Sequence, residues 1–279
     1  MNQTIQLIIN ADDLGAGEPT DRGIFEAFNT GIVNSASLLA NGPSFESAAT
    51  LALETNLPVG VHLNLSEGYA LTGAIEGLTD SEGRFFGKQE SRKRFVDNSI
   101  SADSVQNELL AQIEKVKQAG LKPDHLDTHQ HCGLFPVITS SLVRIAKTTG
   151  ILRMRLPNPV CPSSEDPPPP LGDELRLYRH LAPQVKEQFR SAGLTTPDGL
   201  LGMPLLDRID ENNLSKLLSN LNPGSWELMV HPGYFDPLNA FAGRKRELEL
   251  TALTSSKILK LVQQCQIRLI NFSELRCAY

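Results

Sequence analysis

Short apolar runs alternate with longer amphipathic stretches along almost the whole chain. This alternation limits the fold more than any other feature. A helix between two strands carries the chain back, so the next strand pairs parallel to the first. Strands of a parallel sheet are covered on both faces and read as continuous apolar runs. IQLIIN (5–10) is such a run, and so are VNSASLLA (33–40), VGVHLNL (59–65), ILRMRLP (151–157), GLLGMPLL (199–206), WELMVHPG (226–233) and IRLINFSEL (267–275). Residues 125–131 read as the end of a further strand. Helices are expected between them at 21–30, from Pro43 to about 56, from a Ser101 cap to Gly120, and at 137–149, 183–192, 211–221 and 248–264. Seven or eight strands in this order predict an α/β fold: a (β/α) barrel, closed or nearly closed and irregular in places.

Two stretches break the rhythm. Residues 66–99 are rich in Gly and charge with little period, which predicts a loop insertion. PSSEDPPPP (162–170) can be neither helix nor inner strand, and marks a second insertion near 160–172. Strand and helix texture continues on both sides of each, so residues 1–279 are expected to form one catalytic domain.

Composition enters as a filter on partners. Lys and Arg number 26 against 32 Asp and Glu, a formal charge of −6. No basic tract offers a footprint for nucleic acid. No apolar run approaches the ~20 residues of a membrane span. The start MNQTIQLIINADD lacks a basic, long-apolar leader, and the expected location is the cytoplasm. The cysteines (Cys132, Cys161, Cys265, Cys277) are scattered without a CxxC pair, which argues for free thiols.

Chemistry in such sheets gathers at the C-terminal ends of the strands. There the sequence places Asp12 and Asp13 after the first strand, His62 in the third, Asp127, His129 and His131 after the fourth, and His231 before Pro232-Gly233. His125 lies beside the fourth group. Each has an ordinary reading: a turn-forming Asp pair, a hydrogen-bonded core histidine, a chance His-x-His whose rings share a face on a regular strand, a histidine packed at a turn. Four coincidences at one rim are harder to accept than one shared site. One carboxylate and two imidazoles form a common set for a catalytic divalent metal with open positions. A second carboxylate can act as base on water, and a protonated imidazole can donate to a departing amine. Together these are the parts needed for metal-assisted amide hydrolysis.

The segments IINADDLG (8–15), GIVNSASLLANGPSFESA (31–48), VGVHLNLSEG (59–68), KPDHLDTHQH (122–131), ELMVHPGY (227–234) and RELELTALTS (246–255) together resemble the YdjC-like carbohydrate deacetylases, which include chitooligosaccharide deacetylases. The resemblance runs in order over essentially the whole chain. It implies a barrel related to the polysaccharide deacetylases, one divalent metal, usually Mg, and removal of N-acetyl groups from amino sugars. By motif position it makes Asp13, His62 and His129 the metal ligands, Asp12 the base, and His231 the acid or oxyanion donor. His131, Asp127 and Arg155 are candidate substrate contacts. Two imidazoles suit Zn, Mn or Co better than Mg on ligand grounds. Leu14 stands where the family often has Phe, and Cys132-Gly133 cut the histidine run short.

The expected partner is a small N-acetylated sugar, an oligosaccharide or a glycolipid precursor, with a homodimer as the assembly considered. A single Trp and four Tyr offer no broad aromatic platform for a polymer. The competing readings are a glycoside hydrolase using Asp12 and Asp127 as its carboxylate pair, and a non-catalytic sugar-binding relative.

Overall fold

A computed structural model describes residues 4–97, 99–160, 166–237, 239 and 241–276. Its centre is a parallel sheet of seven strands in the order β4-β3-β2-β1-β6-β5, with β7 paired to β1. The strands are β1 (Ile5–Leu14), β2 (Ser35–Leu38), β3 (Val59–Leu63), β4 (Leu126–Thr128), β5 (Gly199–Leu201), β6 (Gly224–Val230) and β7 (Arg268–Leu269). β1 is the long axis of the sheet. It pairs with β6 over Ile5 to Ala11, with β2 from Asn10 onward, and with β7 at Gln6 and Leu7.

Nine helices lie between the strands among the described residues. They are α1 (Glu18–Thr30), α2 (Phe45–Thr55), α3 (Lys88–Val96), α4 (Ala102–Gln118), α5 (Pro136–Thr149), α6 (Leu171–Ser191), α7 (Glu211–Ser219), α8 (Arg244–Leu253) and α9 (Ser256–Gln264). The expected Ser101 cap is present, its side chain accepting from the Ser104 N–H.

The sheet curls, and residues 153–160 bridge its two edges. Arg155 N–H donates to the Leu126 carbonyl, and Leu126 N–H to that of Arg153. At the other end Val160 N–H donates to Leu200 O, and Leu200 N–H to Asn158 O. Residues 151–157, expected as a strand, instead make isolated bridges, Met154 to Leu126 and Arg153 to Thr195, and Pro159 beyond them bridges to Leu200. Prolines at 157 and 159 explain the irregularity, because each removes a ladder donor.

Other expectations change as well. The insertion at 66–99 contains α3, whose KQESRKRFV sequence has little apolar period. It is held by a 2.9 Å Glu90–Arg94 pair one turn apart and by Phe95 packed on Phe135. The helix expected at 248–264 is two, because Ser255 caps α9 by accepting from Lys257 N–H. α6 begins twelve residues before its expected start and runs through Pro183. Of the proline-rich stretch, residues 162–165 lie outside the described residues, as do Cys161 and Cys277. Cys132 and Cys265 are free thiols.

His125 is not at the rim. It precedes β4 and fills the opposite end of the barrel, stacked on Phe272 at 3.8 Å. Its Nδ1 lies 2.7 Å from Asp124 Oδ1 and its Nε2 3.3 Å from Ser37 Oγ. Gly60 faces this ring, and any Cβ there would overlap it.

Candidate metal centre at the barrel mouth

A regular strand would send Asp12 and Asp13 to opposite faces. Here the β1–β2 register shifts between Ala11 and Leu14, and Asp13 takes a left-handed backbone (φ 67°). This bulge turns both carboxylates into one cavity of about 300 Å³. A non-glycine residue in that conformation costs free energy and is held by its surroundings. Asp21 supplies part of the hold, accepting from Gly15 N–H at 2.6 Å just beyond the bulge.

His62 comes from β3 and His129 from the first residue after β4. His129 Nδ1 lies 3.0 Å from Asp13 Oδ1, His62 Nε2 3.4 Å from the same oxygen, and the two ring nitrogens 3.2 Å apart. Asp13 Oδ1 is buried and receives no hydrogen bond of good geometry. Three donor atoms each ~2.1 Å from one ion, at ~90–110° to one another, would be separated by ~3.0–3.4 Å. The residues present therefore fit a divalent cation, and their chemistry, one carboxylate and two imidazoles, suits one. A second grouping, Asp12 with His62 and Asp127, is also close enough. Its carboxylates already face the guanidinium of Arg155.

The outer nitrogen of each imidazole meets a carboxylate. His62 Nδ1 is 2.9 Å from Asp127 Oδ2, and His129 Nε2 is 3.3 Å from Glu67 Oε2. Burial alone would lower His62, but Asp127 and Asp12 push it up to about 10. Burial works the same way on His129, and Asp13 pushes that ring up to about 9. Asp13 would be raised by burial, yet His129 and His62 hold it well below the usual carboxylate range.

Beneath the floor lies Arg155. Its Nη1 and Nη2 each lie 2.6 Å from an oxygen of Asp12, Nη1 also lies 2.7 Å from Asp127 Oδ2, and Nε donates to Glu227 Oε1 at 2.7 Å. Burial disfavours its charge, but Asp12, Glu227 and Asp127 together raise it well above the ordinary value. Asn10 Nδ2 adds a 2.9 Å bond to Asp12. Of the three candidate substrate contacts, only His131 lines the cavity. Arg155 and Asp127 are sealed below it, with no side-chain exposure.

His131 does not share a face with His129. β4 ends at Thr128, and Gln130 and His131 are both left-handed (φ 53° and 58°). The turn sends His131 toward Tyr178, edge to face at 5.4 Å. Burial, helped by the charge of Arg155, holds it well below the usual imidazole range.

His231 follows β6, whose Val230 pairs with Ala11. Its Nε2 is 4.0 Å from Asp12 Oδ2. The backbone N–H donates to Glu249 at 2.8 Å, and Arg246 braces Glu249 at 2.8 Å. The loop after it packs against α1 at a glycine pair: a Cβ on Gly23 would stand 2.5 Å from Gly233 Cα. Burial lowers His231 to about 4, against the pull of Asp12 and Asp13. Burial thus works against the protonated form expected from sequence.

Sequence reading missed Glu67, Glu227, Glu249 and Arg246. Glu227 left a signal, since a charge inside the apolar run WELMV must be buried with a partner.

Comparisons place this architecture. A protein of known structure from Enterococcus faecalis V583 superposes with a TM-score of 0.73 at 24% identity, over 96% of this chain and 98% of that one. A peptidoglycan N-acetylglucosamine deacetylase shares the fold at a TM-score of 0.53 and 10% identity, over 98% of this chain and 88% of its own. In sequence, a carbohydrate deacetylase of Clostridium beijerinckii is 30% identical over 276 residues, 97% of this chain and all of its own length. A carbohydrate deacetylase of Homo sapiens is 32% identical over 253 residues, 82% of this chain and 75% of its own. The model of the YdjC-like protein family matches residues 6–264. With the match spanning every strand that carries the site, the chain belongs to the YdjC-like family.

Proposed function

We propose that the protein is a metal-dependent hydrolase that removes N-acetyl groups from amino sugars or short oligosaccharides. The observation that carries this reading is the triangle of Asp13 Oδ1, His62 Nε2 and His129 Nδ1 on the cavity floor, with Asp12 beside it. Relatives named carbohydrate deacetylase support the reaction and the sugar. Asp13, His62 and His129 would hold the cation. When bound, a divalent ion there would polarise an amide carbonyl and make water more acidic.

The chain's own residues supply the rest. Asp12, fixed by the fork of Arg155, accepts the proton of the attacking water. His231, whose Nε2 lies 4.0 Å from Asp12 Oδ2, receives that proton from Asp12 and delivers it to the departing nitrogen as the C–N bond breaks, which returns Asp12 to its carboxylate. Imidazole ligands favour Zn, Mn or Co, and Mg is the ion suggested by resemblance. The cavity lining mixes aliphatic Leu39, Met203, Leu206 and Met229 with polar Glu67, Lys88, Gln130 and Glu174. Such a mixed lining suits a small ligand with a few fixed polar contacts.

The glycoside hydrolase reading loses its carboxylate pair. Asp12 and Asp127 both sit on Arg155 Nη1, at 2.6 and 2.7 Å, and Asp127 does not reach the cavity. A glycosidase pair must flank the scissile bond ~5 Å or more apart. The test is acetate release from a panel of N-acetylated sugars and glycolipid precursors, before chelation, after it, and with metal restored. Loss on chelation and recovery on add-back are expected. Acetate release indifferent to chelation, or none from any substrate, would overturn the proposal.

A further inference from the structure

We infer that Glu67 is a positioning residue, which orients the His129 ring so that its Nδ1 is ready for a cation. The inference rests on the reading of Asp13, His62 and His129 as a metal site. Glu67 lies four residues beyond β3, on the cavity mouth, and its side chain is 57% exposed. Burial does not hold it in place; the backbone does. Asn64 Oδ1 accepts from Glu67 N–H at 3.1 Å, and the Glu67 carbonyl accepts from Asn64 Nδ2 at 2.9 Å and from Asn41 Nδ2 at 3.1 Å. Asn64 is gripped in turn by the buried Gln112 of α4. Gln112 Oε1 accepts from Asn64 N–H at 2.8 Å, and Gln112 Nε2 donates to the Asn64 carbonyl at 2.7 Å. This chain of amides runs from α4 to one exposed carboxylate, which meets His129 Nε2 with one oxygen and the Gln130 amide with the other.

The two imidazoles are then arranged alike. The inner nitrogen of each faces Asp13, and the outer one faces a carboxylate, Asp127 for His62 and Glu67 for His129. An outer N–H donating to a carboxylate leaves the lone pair on the inner nitrogen, where a metal needs it. The two sides differ in origin. The His62 side is set inside the barrel by Arg155 and Asp127, whereas the His129 side is set by a loop at the opening.

The test is titration of metal-free protein with Zn²⁺ in competition with a chelator, with ¹⁵N imidazole spectra and a melting curve on the same samples. Glu67→Ala is expected to bind Zn²⁺ ~10–100-fold more weakly, with the melting temperature of the metal-free protein unchanged. Glu67→Gln keeps an acceptor oxygen and should recover much of the affinity. Gln130→Ala should bind close to wild type. In zinc-loaded wild type the His129 proton is expected on Nε2. Unchanged affinity in Glu67→Ala overturns the inference, as does a lowered melting temperature with affinity intact, which would mark a merely structural carboxylate. If wild type binds no divalent ion, the metal-site reading fails first and this inference falls with it.

Discussion

Arg155 grips both carboxylate oxygens of Asp12, Nη1 to Oδ2 and Nη2 to Oδ1, each at 2.6 Å. The same guanidinium meets Asp127 and Glu227, so one buried cation faces three buried carboxylates. The proposed base is therefore aimed by a group that does not line the cavity.

Removal of that cation should be costly. Arg155→Met leaves three carboxylates buried together, and breaking a buried ion pair typically costs ~3–5 kcal/mol. The variant is expected to melt far below wild type at neutral pH, with partial recovery in mild acid as carboxylates protonate. Arg155→Lys keeps the charge without the fork and should fall between the two. A melting curve for Arg155→Met that overlays wild type would refute this account of the network.

Asp12→Asn preserves shape while removing basicity. We expect metal affinity near wild type and turnover lowered by ~10²–10⁴-fold. Equal loss of metal from Asp12→Asn and Asp13→Asn would show that both aspartates are ligands, and another base would then be needed.

His231→Ala should fold and bind metal, yet lose kcat, with a smaller loss on substrates whose leaving group needs no proton. Its backbone N–H bond to Glu249 survives the change, so folding should be little affected. A variant that melts early but hydrolyses at the wild-type rate per folded molecule would remove His231 from the reaction.

Metal uptake should release protons. In the metal-free protein His62 and His129 titrate near 10 and 9, above the ordinary imidazole value of 6.5. A raised folded pKa adds stability that is complete below ~6.5 and is lost as pH rises through 9–10. Metal-free protein should therefore lose melting temperature between pH ~6.5 and 10, and metal-loaded protein should resist the change. Below pH 9 the ion must displace both protons, so its affinity should climb by up to ~100-fold per pH unit. Calorimetry in buffers of different ionisation enthalpy counts the protons released. No release at pH 7.5 would contradict the assigned protonation.

What could be read from sequence follows from where polar residues interrupt apolar runs. Asp12, Asp13, His62 and His231 stand at the ends of strands whose pattern is plain, so their meeting at one rim was legible. The rest depends on facts with no local signal. Arg155 looks ordinary in ILRMRLP because its partners come from residues 12, 127 and 227. His129 and His131 part company through two left-handed residues that neither Gln nor His announces. His125 reads as one more rim histidine until the register places Gly60 beneath it. α3 is hidden because it is tied down by charge pairs, Glu90 with Arg94 inside it and Lys88 and Arg92 with Glu174 of α6, and by one anchored Phe, none of which makes a period.

The stretch that bridges the sheet's edges also carries Arg155. Ring closure and charge balance thus rest on the same stretch of chain. A barrel with that seam open would leave Asp12, Asp127 and Glu227 repelling one another around an empty centre, and no catalytically aimed base could survive there. Half-open states are for this reason expected to be unstable and to leave the proposed base unaimed, so the seam would work as a latch on the finished ring. Splitting the gene between β4 and β5 to make two complementing fragments should accordingly yield no activity from either piece alone, and full restoration only when the latch is rebuilt.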